Sequence, residues 1–131
     1  MDLQDKRIFL VEDNSGNQAI TKTLLESHGA VVATQLTGHD VIVHLRNFTP
    51  VDLIILDLIL PSGATGYDVF VAIRNQVEFM NVPIIAMSVA DRSKVVPEAK
   101  KRGFAGFISK PIDFQEFPGQ IARLIAGENL W

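Results

Sequence analysis

Short apolar runs, each closed at its carboxyl end by a polar residue, recur five times along this chain, and the stretches between them carry helical spacing. The clearest is Leu53-Ile54-Ile55-Leu56, closed by Asp57, with Pro50 and Asp52 before it and Pro61 after it. A run this short and β-branched fits a strand buried on both faces of a parallel sheet. Strands alternating with helices in this way predict an α/β fold, a parallel sheet with helices on both faces, and right-handed crossovers leave it few topologies. Asp57 then stands at a strand's carboxyl end, the edge at which open α/β sheets bind ligands. The plainer alternative is an aspartate that ends a strand in a turn.

Ile8-Phe9-Leu10-Val11 is the first strand, and it delivers Glu12-Asp13. Asn14 or Ser15 can cap the helix that follows, in which Ala19, Ile20, Thr23, Leu24 and Leu25 recur until Gly29. Val31-Val32-Ala33 is a weaker strand, and Thr37-Gly38 opens a helix that faces Val41, Ile42 and Leu45 inward and ends at Thr49-Pro50. After Asp57 comes a loop of small residues, Pro61 to Gly66, then a helix from Tyr67 to Val77. The fourth strand, Pro83 to Met87, ends at Ser88. A helix from Arg92 to Arg102, which Pro97 is expected to disturb, closes at Gly103. Phe104 to Ser109 is the fifth strand, closed by Lys110-Pro111. Asp113 caps the last helix, whose apolar face includes Phe117, Ile121, Leu124 and Ile125, and Pro118-Gly119 predict an irregular first turn with regular helix only after about Gly119.

At 131 residues and 47% hydrophobic content, one compact domain with a sizeable core is expected. The net charge of −3, without a basic block, offers no electrostatic case for nucleic acid or a membrane surface. With no cysteine there are no disulfides or thiolate metal sites, and the compartment is left undecided on that ground. The charged amino terminus and the short run Ile8 to Val11 fit neither a signal peptide nor a membrane span, so a soluble cytoplasmic protein is expected.

The strand ends together carry Glu12-Asp13, Asp57, Ser88 and Lys110. In a doubly wound sheet these positions share one edge. Carboxylates held together raise one another's pKa unless a cation is bound, and an all-oxygen site of this kind suits magnesium shared with a phosphate. A carboxylate can also attack phosphorus to give an acyl phosphate, whose remaining oxygens need positive charge and donors. Lys110 and the Ser88 hydroxyl are suited to that.

Val11-Glu12-Asp13-Asn14, Leu56-Asp57 with Pro61, Met87-Ser88 and Ser109-Lys110-Pro111 resemble the receiver domain of two-component response regulators, and the match spans essentially the whole chain. The resemblance implies the flavodoxin-like strand order 2-1-3-4-5. It also implies that Asp57 is the phosphoacceptor, and that Glu12, Asp13, Asp57 and the main-chain carbonyl of Ile59 hold Mg2+ or Mn2+. Ser88 and Lys110 would contact the phosphoryl group, Ser88 and Phe107 would form the switch, and Pro111 would follow Lys110 in cis. The implied partners are a sensor histidine kinase or phosphotransfer protein and an unknown downstream protein, and the last helices could support a homodimer. Residues 1–131 would form a single receiver domain with no output domain, an acceptor with at most slow self-phosphorylation and self-dephosphorylation.

Three features depart from the family's pattern. Val89 follows Ser88 where a small residue is usual, which predicts slow loading of the acid. Ile59 and Ala90 flank the expected path of attacking water and cannot orient it, which predicts a long-lived phosphoaspartate. The loop after Pro61 looks one residue longer than the common form.

His28, His39 and His44 lie on helices without ligand-type spacing and are expected to be surface or structural. Most of Phe104, Phe107, Phe114 and Phe117 are expected in the core, and Lys100-Lys101-Arg102 reads as a solvated face near a helix C-terminus. Leu130-Trp131 is open to fraying or to a contact. A haloacid-dehalogenase-like phosphatase would need a second aspartate where Ile59 stands, and a flavodoxin's phosphate would be repelled by Glu12-Asp13. A degenerate receiver acting as a phosphorylation-independent interaction module is the remaining alternative.

Overall fold

The computed structural model describes residues 2–59 and 65–131. Five strands, β1 (Arg7–Val11), β2 (Val31–Gln35), β3 (Leu53–Asp57), β4 (Ile84–Ser88) and β5 (Gly106–Ser109), alternate with five helices, α1 (Ser15–Ser27), α2 (Val41–Phe48), α3 (Gly66–Arg74), α4 (Arg92–Arg102) and α5 (Phe117–Ile125). The strands are parallel and lie in the order β2-β1-β3-β4-β5. This is the flavodoxin-like order, and it puts β3 at the centre of the sheet.

Alternation along each strand divides the core in two. Phe9, Val11, Ile54, Leu56, Ala86 and Phe107 face the apolar sides of α2, α3 and α4. Ile8, Leu10, Leu53, Ile55, Ile85, Met87 and Ile108 face α1 and α5. Every residue of β3 is buried, which is why its sequence is an unbroken apolar run. Each such side chain contributes roughly 1.5–3 kcal/mol when fully buried. Asp57 is the exception in that strand: a carboxylate tolerated only where the sheet ends.

The helix starts show where local chemistry overrides periodicity. Asn14 caps α1 by accepting the Asn17 N–H at 2.9 Å. α3 opens with a reciprocal box in which Thr65 Oγ1 accepts from Asp68 N and Asp68 accepts from Thr65 N. α2 begins at Val41, not at Thr37-Gly38, because Asp40 takes a left-handed conformation (φ 55°) that a helix cannot continue through. α3 stops at Arg74, since Gln76 is extended, and a 3-10 turn at Val77–Phe79 follows, anchored by the buried Phe79.

The two helical prolines behave differently from expectation. α4 runs continuously through Pro97, whose missing amide frees the carbonyl of the exposed Ser93. Pro118 lies in the first turn of α5, where no amide partner is needed, so the helix is regular from Phe117. Asp113 caps the turn before it, accepting from Gln115 N and Glu116 N. β5 starts at Gly106, two residues after Phe104, and the chain beyond α5 returns to lie beside it at Leu130.

Candidate functional site

The sheet brings the ends of β1, β3, β4 and β5 to one edge. Glu12 follows β1 and is fully buried, its amide donating to the Gln35 carbonyl at 3.0 Å. Asp57 ends β3 at 3% exposure, while Asp13 remains open to water. One oxygen from each of the three carboxylates lies within 4.8 Å of the others. Lys110, just past β5, extends its ammonium between two of them: Nζ donates to Glu12 Oε1 at 3.0 Å, to Glu12 Oε2 at 2.9 Å and to Asp57 Oδ2 at 2.8 Å. The other Asp57 oxygen, Oδ1, accepts the Ile59 N–H at 3.0 Å.

These contacts set the electrostatics. Partial burial raises the Asp13 carboxyl above its ordinary range, a hydrogen bond with Asp57 and that residue's charge add to the rise, and Lys110 opposes it. For Lys110, burial acts to lower the ammonium pKa, but the bonds to Asp57 and Glu12 and their charges together raise it. Lys110 is therefore a fixed cation. Three carboxylates against one ammonium leave a local charge of −2 with all-oxygen donors, which fits a hard divalent cation.

Ser88 is buried at the end of β4, and its Oγ accepts the Ala90 N–H at 3.1 Å, which leaves the hydroxyl hydrogen free to donate. Ile59 pairs with Thr65 in an isolated bridge, so its backbone is held beside the acid while its side chain is 58% exposed. Gly66 closes this corner, donating to the Leu58 carbonyl at 3.1 Å. The loop residues 60–64 between them, Pro61 included, lie outside the described residues.

The Lys110–Pro111 peptide is cis, as is Thr49–Pro50. Phe107 does not join the carboxylates: it is buried on the opposite side of β5, with the Arg92 guanidinium 5.9 Å from its ring centroid. Phe104 and Phe117 are also core, whereas Phe114 is 58% exposed. His28, His39 and His44 are not part of the acidic cluster, and only His44 lies within a helix: His28 caps the end of α1 and His39 stands in the turn before α2.

A feature not anticipated from sequence is a groove of about 270 Å³ beside Lys110, walled by Ile20, Met87, Val89, Pro111, Ile112 and Phe114. Its signal was faint: Ile20 and Phe114 are large apolar residues at positions that a helix face and a loop leave exposed.

Fold and site together define a flavodoxin-like domain with an acidic, lysine-bridged pocket at its strand ends. The model of the response regulator receiver domain matches residues 8–122, and the chain belongs to that family. Receiver domains are signalling modules of two-component systems and act with histidine kinases or phosphotransfer proteins. Among relatives, the chain is 31% identical over 122 residues to the CAI-1 autoinducer sensor kinase/phosphatase CqsS of Vibrio cholerae, covering 92% of this chain and 18% of that protein. It thus spans under a fifth of that relative's length. It is 25% identical to Protein PilH of Pseudomonas aeruginosa, covering 92% of this chain and 98% of the other. Among solved structures, the receiver domain of a Pseudomonas aeruginosa sensor histidine kinase, described with a magnesium ion coordinated in its active site cleft, superposes with a TM-score of 0.79 at 29% identity, covering 94% and 99% of the two chains.

Proposed function

We propose that this chain is a phosphoacceptor in a two-component phosphorelay, with Asp57 receiving a phosphoryl group from the phosphohistidine of a kinase or phosphotransfer protein. The observation that carries the reading is the single ammonium of Lys110 bonded to both Glu12 and Asp57 beside the open Asp13. A buried nucleophile, a fixed cation and an accessible acid are the parts that such a transfer needs.

In the transfer, a carboxylate oxygen of Asp57 forms the new O–P bond while the N–P bond of the phosphohistidine breaks, and the imidazole leaves with a proton from solvent. Glu12, Asp13, Asp57 and the Ile59 carbonyl would hold Mg2+ or Mn2+, which neutralises the phosphoryl oxygens when bound. Lys110 and the Ser88 hydroxyl donate to those oxygens. The groove of Ile20, Val89, Ile112 and Phe114 opens beside Lys110 and is suited to an apolar helix of the donor protein, whose histidine must reach the buried acid. Ser88 and Phe107, on adjacent strands, would then shift together and alter the surface of α4, β5 and α5. A cytoplasmic location accords with this role; among the described residues no helix is long and apolar enough to cross a membrane.

A phosphorylation-independent interaction module is not favoured, because such a module has no need of a buried, fully bonded Glu12–Lys110–Asp57 unit. The test is incubation with acetyl phosphate and magnesium, followed by intact-mass measurement. One base-labile phosphoryl increment that Asp57→Asn abolishes is expected. Its absence from the unmodified protein would overturn the reading.

A further inference from the structure

The backbone around Asp57 is held in place by the first turn of α3. Ile59 N–H bonds the carboxylate at Oδ1, Ile59 is bridged to Thr65, and Gly66 N donates to the Leu58 carbonyl, so the two arms of the β3–α3 connection are tied together. Gly66 rests on the Asp57 and Leu58 backbone, and Tyr67 is the next residue. Tyr67 is gripped from the other side. Its ring meets that of Phe104 at 90° with centroids 6.0 Å apart, and the Arg102 guanidinium lies over it, 4.4 Å from the centroid. Arg102 is in turn held by Glu98 on the same helix, Nε to Oε1 at 2.8 Å, and Phe104 is stacked on Phe70 at 4.2 Å. Arg102 is the last residue of α4, and Phe104 follows its left-handed cap, Gly103 (φ 100°). One ring thus ties the corner beside the acid to the end of α4.

We propose, resting on the assignment of the cation to Glu12, Asp13, Asp57 and the Ile59 carbonyl, that Tyr67 is a positioning residue for that site. The clasp of Arg102 and Phe104 on its ring holds the corner of Asp57, Ile59 and Gly66 in the arrangement that receives a divalent cation. Tyr67 supplies no ligand: its effect passes through Gly66 and the Ile59–Thr65 bridge. The clasp also lies where contacts can open without unfolding the core, since Tyr67 is half-buried and the Arg102 side chain is 37% exposed. Closing the clasp and binding the cation therefore favour one another, and by reciprocity each strengthens the other by the same factor. The contacts are made by the ring, so Tyr67→Phe keeps them while Tyr67→Leu removes them.

Tyr67 is the chain's one tyrosine, so carbon-13 labelling of tyrosine gives a single ring to follow by NMR. In the full chain, labelled also with nitrogen-15, titration with magnesium chloride is expected to shift the Ile59 and Gly66 amides and the Tyr67 ring along one binding curve. Tyr67→Leu and Arg102→Gln should each weaken magnesium binding by roughly tenfold, the lower end of what losing an outer-shell partner costs. Tyr67→Phe should bind as the unmodified chain does. Arg102 lies at the surface, so Arg102→Gln keeps the test sound even where Tyr67→Leu fails to fold. If Tyr67 merely packs α3 against α4, Arg102→Gln will lower the urea midpoint in chelator and leave magnesium affinity unchanged, and the proposal falls. It falls equally if the Ile59 amide shifts while the Tyr67 ring does not. Magnesium that moves none of these signals would overturn the cation assignment as well, which tells the two failures apart.

Discussion

Gly66 lies against the backbone of Asp57 so closely that a Cβ on it would sit 2.5 Å from the Asp57 carbonyl oxygen and 2.8 Å from the Leu58 Cα. Both neighbours are backbone, so neither can swing aside. Gly66→Ala is expected to destabilise the chain by roughly 1–3 kcal/mol, the usual scale for overpacking, and to slow labelling of Asp57. Urea denaturation together with acetyl phosphate labelling checks both, and a variant with wild-type values in each would show that this corner adapts.

Lys110 serves two buried acids at once, and nothing in the described site replaces it. Lys110→Ala in chelator should lose roughly 1–3 kcal/mol, less than for a fully enclosed pair because the site opens to water at Asp13. The pH dependence has a definite sign. Folding raises the Lys110 pKa, so its contribution is complete below the unfolded value of 10.5 and is lost as pH rises through the folded value. The stability gap between wild type and variant should therefore narrow in strong alkali, as measured by urea melts across pH.

Asp13 has the opposite effect. Its carboxyl pKa is raised above 3.8 by burial and by Asp57, so the folded state favours its protonated form, and stability from this group falls as pH climbs through the raised value. Asp13→Asn should stabilise the metal-free protein at neutral pH by a few tenths of a kcal/mol, a small figure because the side chain is exposed. With millimolar magnesium the gain should vanish, since the wild type then has a cation to hold. A gain that persists in magnesium would remove Asp13 from the metal site.

Val89 stands 70% exposed on the wall of the groove beside Lys110. Val89→Ala should raise the rate of Asp57 labelling by acetyl phosphate roughly two- to five-fold, a barrier change below about 1 kcal/mol. An unchanged rate would show that the branched side chain does not limit access.

Ile59, two residues past Asp57, has an exposed apolar side chain, while its amide is already committed to Asp57 Oδ1. Ile59→Asn leaves that amide in place and adds a group able to orient water. The phosphoaspartate half-life should shorten by roughly tenfold, the scale of one oriented hydrogen bond. A half-life equal to or longer than that of wild type would refute the assignment.

The sheet and its polar edge were legible in the residues because two signals reinforce one another. β3 and β4 are buried on both faces, so apolarity runs unbroken until the strand leaves the core, and the first polar residue is also the first at the ligand-binding edge. Glu12, Asp57 and Ser88 are the first polar residues after such runs, whereas Lys110 comes one residue after Ser109, the first polar residue of β5. What stayed hidden depends on conformations that composition does not specify. The left-handed Asp40 delays α2, the place of Pro118 within its first turn rescues α5, and the return of Leu130 to β5 is a contact between residues 24 positions apart with no periodic signature. The groove was hidden for the related reason that Ile20, Val89 and Phe114 belong to three separate segments.

The Glu12–Lys110 bond joins residues 98 positions apart. During synthesis the acids after β1 and β3 emerge long before the lysine that bridges them, so in an unfinished chain they have no ammonium between them. The bridged arrangement exists only once β5 has docked. Under the proposed function, competence to accept a phosphoryl group would in this way be reserved for molecules whose last strand is in place.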